Sequence, residues 1–398
     1  MNIFLIPSWY PHPAQPIAGC FTQEQARFYA ELYPMDRMIV SVAGIGDFNL
    51  PLRKPQICVG NLVRYCKALN FHEETQDNFI EWRRPVLEWS HRFGGGLTRI
   101  ISAHWKNFCR TRAHFGSVEV IHAHVSYPAG WIAMELSRRS GVPYIITEHM
   151  SPFPFQTPKF IRNGQLTDWI RLPLATAHRV VAVSPTLAER ITSFGLKSPQ
   201  VIPNVVDERC FSPENLTEPG QLLTFLTVGS MVEQKGIPDL LRAIALMREK
   251  SRHIRFRFAG DGPQMAAYRR LAAELGIESS VEWLGKISRK EMPKLFKSCH
   301  AFVLTSHHET FGIVYAEALA CGKPIIATRC GGPESIVTPE NGVLVNVGDI
   351  IGIQRALLNV IHNREQYRPE VIRTDFIARF SRPAVSSQLK QLYEGLLV

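Results

Sequence analysis

Short runs of β-branched and aliphatic residues alternate with longer amphipathic stretches along nearly the whole chain, which confines it to α/β structure built on parallel sheets. In the first half the strand-like runs are residues 3–6, 38–42, 120–124, 144–148, 180–184 and 201–203. Helical stretches lie between them: 22–32, then 130–139, which Gly141 and Pro143 stop, and 185–194, which Gly195 stops. The rhythm restarts with strands at 224–228, 255–259, 281–284, 301–305, 324–328 and 343–345, and with helices at 238–249, 264–275, 289–298 and 350–362. Residues 207–221, rich in Pro, Glu, Asn and Gly, read as a linker, and 379–397 as an amphipathic helix. A chain of 398 residues is too long for one ordinary core, so two α/β domains are expected.

Hydrophobic residues make up 45% of the chain and charged residues 20%, a globular composition. Eight cysteines, at 20, 58, 66, 109, 210, 299, 321 and 330, form no Cys-x-x-Cys pair, which fits reduced thiols better than a disulfide scaffold or zinc site. No apolar run approaches the roughly 18–20 residues that cross a bilayer. The opening Met1-Asn2-Ile3-Phe4-Leu5-Ile6-Pro7 has no basic segment, so no signal peptide is expected and the protein is expected in the cytoplasm.

The net charge of +10 is spread over both halves and suits an anionic partner: nucleotide phosphates, a phospholipid surface or nucleic acid. Residues 80–116 carry Arg83, Arg84, Arg92, Arg99, Lys106, Arg110 and Arg112 against Glu81 and Glu88, interleaved with Trp82, Trp89, Phe93, Trp105, Phe108 and Phe115. Two readings stand. Either this is a helix pair in peripheral contact with an anionic membrane at its inner face, or the helices are ordinary and their aromatics pack inward. No recognised nucleic-acid motif accompanies the charge, so nucleic acid is not an expected partner.

Chemistry concentrates in Leu304-Thr305-Ser306-His307-His308-Glu309-Thr310-Phe311-Gly312-Ile313-Val314-Tyr315-Ala316-Glu317. A buried strand ends at Ser306, a polar loop follows, and a helix begins near Gly312; Gly322 and Pro324 end it and open the next strand. Open α/β sheets bind ligands just past the carboxyl ends of their strands. The N–H groups of Phe311, Gly312 and Ile313, with Thr310 beside them, make an anion site suited to a diphosphate, and Gly312 lets the backbone approach it closely. Glu317 lies five residues on, about 7.5 Å along the axis, the reach from a diphosphate to its ribose. Glu309 stands before the helix, on the sugar side of the phosphates. The plainer alternative makes both glutamates surface residues at a helix end.

The Glu309-x7-Glu317 element, with Phe311-Gly312 inside it and Gly331-Gly332-Pro333-Glu334 after it, resembles the signature of retaining GT-B glycosyltransferases of family 4. The likeness extends over nearly the whole chain. It includes Pro7-Ser8-Trp9-Tyr10-Pro11 leading to Gly19 and Glu24-Gln25, then Ile121-His122-Ala123-His124 and Val201-Ile202-Pro203-Asn204-Val205-Val206-Asp207. Val228-Gly229 with Lys235-Gly236, Ala259-Gly260-Asp261-Gly262-Pro263 and Val281-Glu282-Trp283-Leu284-Gly285 complete it. The resemblance implies the GT-B fold: two Rossmann-like domains with parallel sheets facing across a cleft, an acceptor domain at 1–206 and a donor domain at 207–374, with a C-terminal helix at 375–398 packing back onto the first.

By the same resemblance Lys235 neutralises the leaving diphosphate and the loop at Gly285-Lys286-Ile287 cradles the base. Glu309 faces the transferred sugar, Glu317 the ribose, and His124 the reacting centre, while Gly19 belongs to a donor-facing loop. The implied reaction moves a hexosyl unit from a UDP- or GDP-linked sugar, with no other cofactor, to a glycan or lipid-linked acceptor in surface polysaccharide synthesis. Asp-x-Asp occurs nowhere, so protein cations are expected in place of a metal. No side chain stands out as a nucleophile, which leaves front-face attack or a short-lived ion pair as the route to retention.

One position departs from the family, which places Arg where this chain has Ser230; Lys286 and Arg329 are the expected substitutes for the missing cation. A phosphorylase, a sugar-nucleotide epimerase and a non-catalytic nucleotide-sugar binder are the alternative functions on this architecture. His122 and His124 point the same way from one strand, and position 124, at its end, is the one that can reach a ligand. Adjacent His307 and His308 point apart and do not suggest zinc. Gly44-Ile45-Gly46 lacks the third glycine of a dinucleotide fingerprint.

Overall fold

A computed structural model describes residues 1–12, 15–44, 48–50, 55–67, 72–88, 96–214, 222–247 and 253–397. The chain divides into two compact units: residues 1–183, 188–202 and 385–398 form unit 1, and residues 184–187 and 203–384 form unit 2. The boundary expected at 206/207 thus falls at 202/203, and the returning C-terminal segment begins at Val385 rather than 375.

In unit 1 the strands are β1 (Asn2–Pro7), β2 (Arg37–Val42), β3 (His72–Gln76), β4 (Phe79–Arg83), β5 (Val120–His124), β6 (Tyr144–Glu148), the small ribbon β7 (Ile161–Arg162) and β8 (Gln165–Leu166), β9 (Arg179–Ala182) and β10 (Gln200–Val201). The helices are α1 (Cys20–Leu32), α2 (Pro55–Lys67), α3 (Leu97–Phe115), α4 (Trp131–Ser140), α5 (Asp168–Thr176) and α6 (Pro185–Thr192). Eight strands form one sheet in the order β10-β9-β6-β5-β1-β2-β4-β3, and every pairing is parallel except β3 with β4. Strands β1, β5 and β6 are buried along their whole length, as helix-covered parallel strands are.

Unit 2 holds β11 (Leu223–Val228), β12 (Ile254–Ala259), β13 (Val281–Gly285), β14 (Ala301–Leu304), β15 (Ile325–Thr328) and β16 (Gly342–Val345) in one parallel sheet ordered β13-β12-β11-β14-β15-β16. Its helices are α7 (Ile237–Ala245), α8 (Met265–Glu274), α9 (Met292–Lys297), α10 (Ile313–Ala320), α11 (Ile350–His362) and α12 (Pro369–Phe380). The final helix, α13 (Arg382–Glu394), has its residues from Val385 onward in unit 1. One amphipathic helix was expected over 379–397; the chain instead breaks at Ser381 (ψ 162°) between α12 and α13, with Pro383 in the first turn of the second.

Residues 79–83 form a strand rather than helix, and in α3 the residues Ile100, Ile101, Asn107 and Phe108 face inward. Trp82 and Phe108 are fully buried, while Trp105 stacks on Phe108 at 5.4 Å. Trp82 and Phe108 therefore pack inward, and with residues 79–83 in a strand the segment is not a helix pair; Trp89, Arg92 and Phe93 lie outside the described residues. So do Ile45, Gly46, residues 215–221 of the expected linker and residues 248–249 of an expected helix. Among the described residues no helix is long and apolar enough to cross a membrane.

Candidate active site

Strand order in the second sheet reverses between β11 and β14, so the loops leaving their carboxyl ends, 229–236 and 305–312, stand where open α/β sheets take ligands. Three hydrogen bonds tie these loops together. His307 N–H donates to Gln234 O at 2.7 Å, Gln234 Nε2 to His308 O at 2.8 Å, and Thr305 Oγ1 to Gly236 O at 2.9 Å. Gly236 sits at φ 60°, and a Cβ there would stand 1.9 Å from Thr305 O, so only glycine lets the two backbones meet.

The junction brings a cation onto an acid. Lys235 ends the short 3-10 turn Glu233–Lys235, and its Nζ donates to Glu309 Oε1 at 2.6 Å. Ser306 Oγ donates to the same oxygen at 2.8 Å. Both side chains are shielded, 20% and 9% exposed, so the pair is stronger than an ion pair in open water. Behind it, Gly332 N–H donates to Glu309 O at 2.7 Å and Glu309 N–H to Cys330 O at 3.2 Å, fixing the loop from both sides. Burial holds His308 below its usual pKa, Glu309 opposing the shift and Lys235 adding to it, and leaves its ring neutral.

Gly312, at φ 84°, caps α10, whose first N–H groups have no acceptor within the helix. Tyr315 Oη donates to Leu304 O at 3.0 Å and pins that helix start to β14. One turn further, Glu317 is buried to 1% and forms an ion pair with Arg289, whose guanidinium also lies 5.2 Å over the ring of Phe211. Ser230, Lys286 and Arg329 are exposed on neighbouring loops.

In unit 1 the strand order reverses between β1 and β5, and His124 is the last residue of β5. Its Nδ1 lies 2.9 Å from His149 Nε2, and the two rings stack at 5.1 Å. Its Nε2 is buried and has no hydrogen-bond partner among the described residues. His122 is satisfied at both nitrogens, by Tyr393 Oη at 2.7 Å and Thr147 Oγ1 at 2.8 Å, which makes it a structural residue. Burial pushes His122 and His149 down to about 3 and His124 well below its usual value, so all three are neutral at pH 7. Glu148 accepts from the N–H groups of Ser126, His149 and Met150 at 2.8–2.9 Å, which clamps the turn after β5 to the turn after β6. Burial raises its pKa and those bonds oppose the rise.

Residues 66–209 match the family described as Glycosyltransferase Family 4, and residues 209–372 the family described as Glycosyl transferases group 1. Both matches are to glycosyltransferase families, and together they span residues 66–372: the chain is a glycosyltransferase. An uncharacterised glycosyltransferase of Methanocaldococcus jannaschii is 27% identical over 85% of this chain and 93% of its own length. The N-acetyl-α-D-glucosaminyl L-malate synthase of Bacillus anthracis is 26% identical over 71% of this chain and 76% of its own. Among solved structures, sucrose-phosphate synthase from Thermosynechococcus elongatus superposes with a TM-score of 0.74 at 21% identity, covering 100% of this chain and 99% of that one. Anabaena HepE in complex with UDP superposes with a TM-score of 0.71 at 17% identity, covering 99% of this chain and 100% of that one. The two sheets of this glycosyltransferase are thus the two Rossmann-like halves of a GT-B fold.

Of the residues expected at a site, unit 2 of the glycosyltransferase gathers Lys235, Glu309, Thr310, Phe311, Gly312, Ile313 and Glu317 around one loop junction and helix start. His124 and Gly19 lie in unit 1, at the end of β5 and at the N-cap of α1. Three participants were not expected. Glu148 ends, and His149 follows, the strand that pairs with the His122-Ala123-His124 strand, a signal that was available. Arg289 was assigned to a helix over 289–298, but α9 begins only at Met292, which leaves Arg289 in the loop facing Glu317. Among the described residues no group of three His, Cys, Asp or Glu side chains could hold a metal ion.

Proposed function

We propose that this glycosyltransferase moves a hexosyl unit from a UDP- or GDP-linked sugar to a glycan or lipid-linked acceptor with retention of configuration. The observation that carries the reading is the Lys235–Glu309 pair beside the amide groups that open α10. Unit 2 is the donor half: the diphosphate lies on the N–H groups of Phe311, Gly312 and Ile313 with Lys235 Nζ beside it, and Glu317, braced by Arg289, accepts from the ribose hydroxyls. In the transfer the bond from the anomeric carbon to the diphosphate oxygen breaks, and the electron pair leaves with the nucleoside diphosphate. The acceptor oxygen bonds to that carbon from the same face, and its proton passes to the departing diphosphate oxygen. Lys235 and the helix-end dipoles stabilise the charge gained by the leaving group, the role a metal plays elsewhere. His124 and Glu309 act on the transferred sugar.

Support comes from the HepE structures with UDP and UDP-glucose and from the synthase of B. anthracis. A lipid-linked acceptor is supported by 24% identity to a phosphatidylinositol N-acetylglucosaminyltransferase polypeptide of Arabidopsis thaliana, over 80% of this chain and 69% of that protein. A thermal-shift screen of nucleoside diphosphates and their sugars tests the reading, since a ligand that binds only the folded state raises its melting point. UDP or GDP should stabilise the wild type, EDTA should leave transfer unchanged, and Lys235→Ala should weaken the nucleotide by roughly 10–100-fold, the worth of one charge-assisted hydrogen bond. No stabilisation by any nucleotide would overturn it. Ser230 favours a second reading, a binder without turnover; slow donor hydrolysis that Glu309→Ala abolishes while nucleotide binding persists would exclude it.

A further inference from the structure

Unit 2 carries a second recess, at the end of its sheet opposite the Lys235–Glu309 junction. Leu223 begins β11, Ala301 begins β14 and Pro324 precedes β15, so the cavity they line, of about 350 Å³, opens at the amino ends of these parallel strands. Its volume lies at the small end of the range for ligand pockets. Helix α10 runs between the two places: Gly312 caps its start, and Cys321, Gly322 and Lys323, just past its end, line the cavity.

The lining combines apolar and cationic side chains. Phe225, Val360 and Tyr367 form apolar wall, while Lys323, Arg364 and Arg368 bring three positive charges against the single carboxylate of Glu365. Lys323 is 7% exposed, and its Nζ donates to Lys297 O, at the end of α9, at 3.3 Å. Arg364 and Arg368 are exposed, and neither guanidinium forms an ion pair among the described residues. His300 also lines the cavity. Its Nδ1 accepts from the Thr224 N–H at 3.0 Å, which leaves the ring proton on Nε2. Burial, with the charges of Lys323 and Arg364, holds its pKa below the ordinary value, so the ring is a neutral donor.

Positive charges gathered around one cavity with a single acid among them draw an anion into it. Cations and an N–H donor brought together from three separate segments match a phosphate group, which carries about −1.5 to −2 charges and accepts through three oxygens. The apolar wall suits a carbon body attached to that group. We propose that this cavity binds a small phosphate monoester, at a site separate from that of the nucleotide-sugar donor. The inference stands apart from the donor-site reading, because no residue of the cavity belongs to loops 229–236 or 305–312.

Isothermal titration of the full chain with phenyl phosphate tests it, with inorganic phosphate and phenol as the two halves of that probe. Phenyl phosphate should bind wild type and Lys235→Ala alike, several-fold tighter than either half, and added salt should weaken it. Arg364→Ala with Arg368→Ala should weaken it about tenfold or more, through the loss of charge-assisted contacts, with the melting temperature of the free protein unchanged. Lys323→Met, which keeps the buried stem, should weaken it likewise. Absence of binding to wild type, binding that Lys235→Ala removes, or binding that both cavity variants leave unchanged overturns the proposal. So does phenol that binds as tightly as its phosphate, because the cavity would then be selective for apolar surface alone.

Discussion

Arg289 shows how one side chain sets the state of a buried acid. Glu317 is 1% exposed, and a carboxylate so placed stays charged at a tolerable cost only because the guanidinium lies against it. Arg289→Ala should lower stability by about 1–3 kcal/mol, below the range for a fully buried pair because the guanidinium is itself 27% exposed. Combining it with Glu317→Gln should recover most of that loss, since no lone charge is then buried. Urea denaturation of the single and double variants checks both. The two residues also mark the limit of sequence reading. Glu317 was legible because it repeats on the helix that follows Gly312, whereas Arg289 was hidden because its apolar neighbours Met292, Leu295 and Phe296 read as a helix reaching back to it. Only the contact across the loop, which no local pattern records, assigns it to the site.

At the scale of elements, the site is a junction of two loops at the reversal of strand order, and its geometry rests on a single glycine. A Cβ at Gly236 would stand 1.9 Å from Thr305 O with the backbone at φ 60°, so Gly236→Ala must push the 229–236 loop away from 305–312. Expected are a stability loss on the order of 1–3 kcal/mol and weakened nucleotide binding, read by thermal melting with and without UDP. The strands that build this junction were legible within one or two residues, because helix-covered parallel strands are continuous apolar runs. The hairpin β3–β4 was not, because His72-Glu73-Glu74-Thr75-Gln76 is polar throughout and takes its strand form from pairing with β4. Aromatic spacing in 80–116 misled for a related reason: Trp82 and Phe108 come from different elements, and their shared periodicity in sequence has no counterpart in space.

For the whole molecule, four buried neutral histidines, His104, His122, His124 and His149, make unit 1 sensitive to acid. His104, held at about 4, accepts or donates to Ser41 Oγ at 2.8 Å and faces Ala43 O at 3.2 Å, and His122 and His149 are held at about 3. Their ordinary value is 6.5, so the unfolded chain takes up protons below that pH while the folded chain does not. Stability is therefore fully present above pH 6.5 and declines as pH falls toward the folded values, by up to about 1.4 kcal/mol per pH unit for each histidine. Urea midpoints of the full chain, flat from pH 8 to 7 and falling from pH 6.5 to 5, would bear this out; a midpoint unchanged at pH 5 would refute it. His122 is also bonded to Tyr393, and Asp36 to Lys390 at 2.7 Å, so the first sheet is sealed by residues near the end of the chain. A ribosome releases those residues only after it has made all of unit 2. At about 5–20 residues per second, the nascent first half waits many seconds with its histidine strand unsealed, and its last folding step is timed by the synthesis of its neighbour.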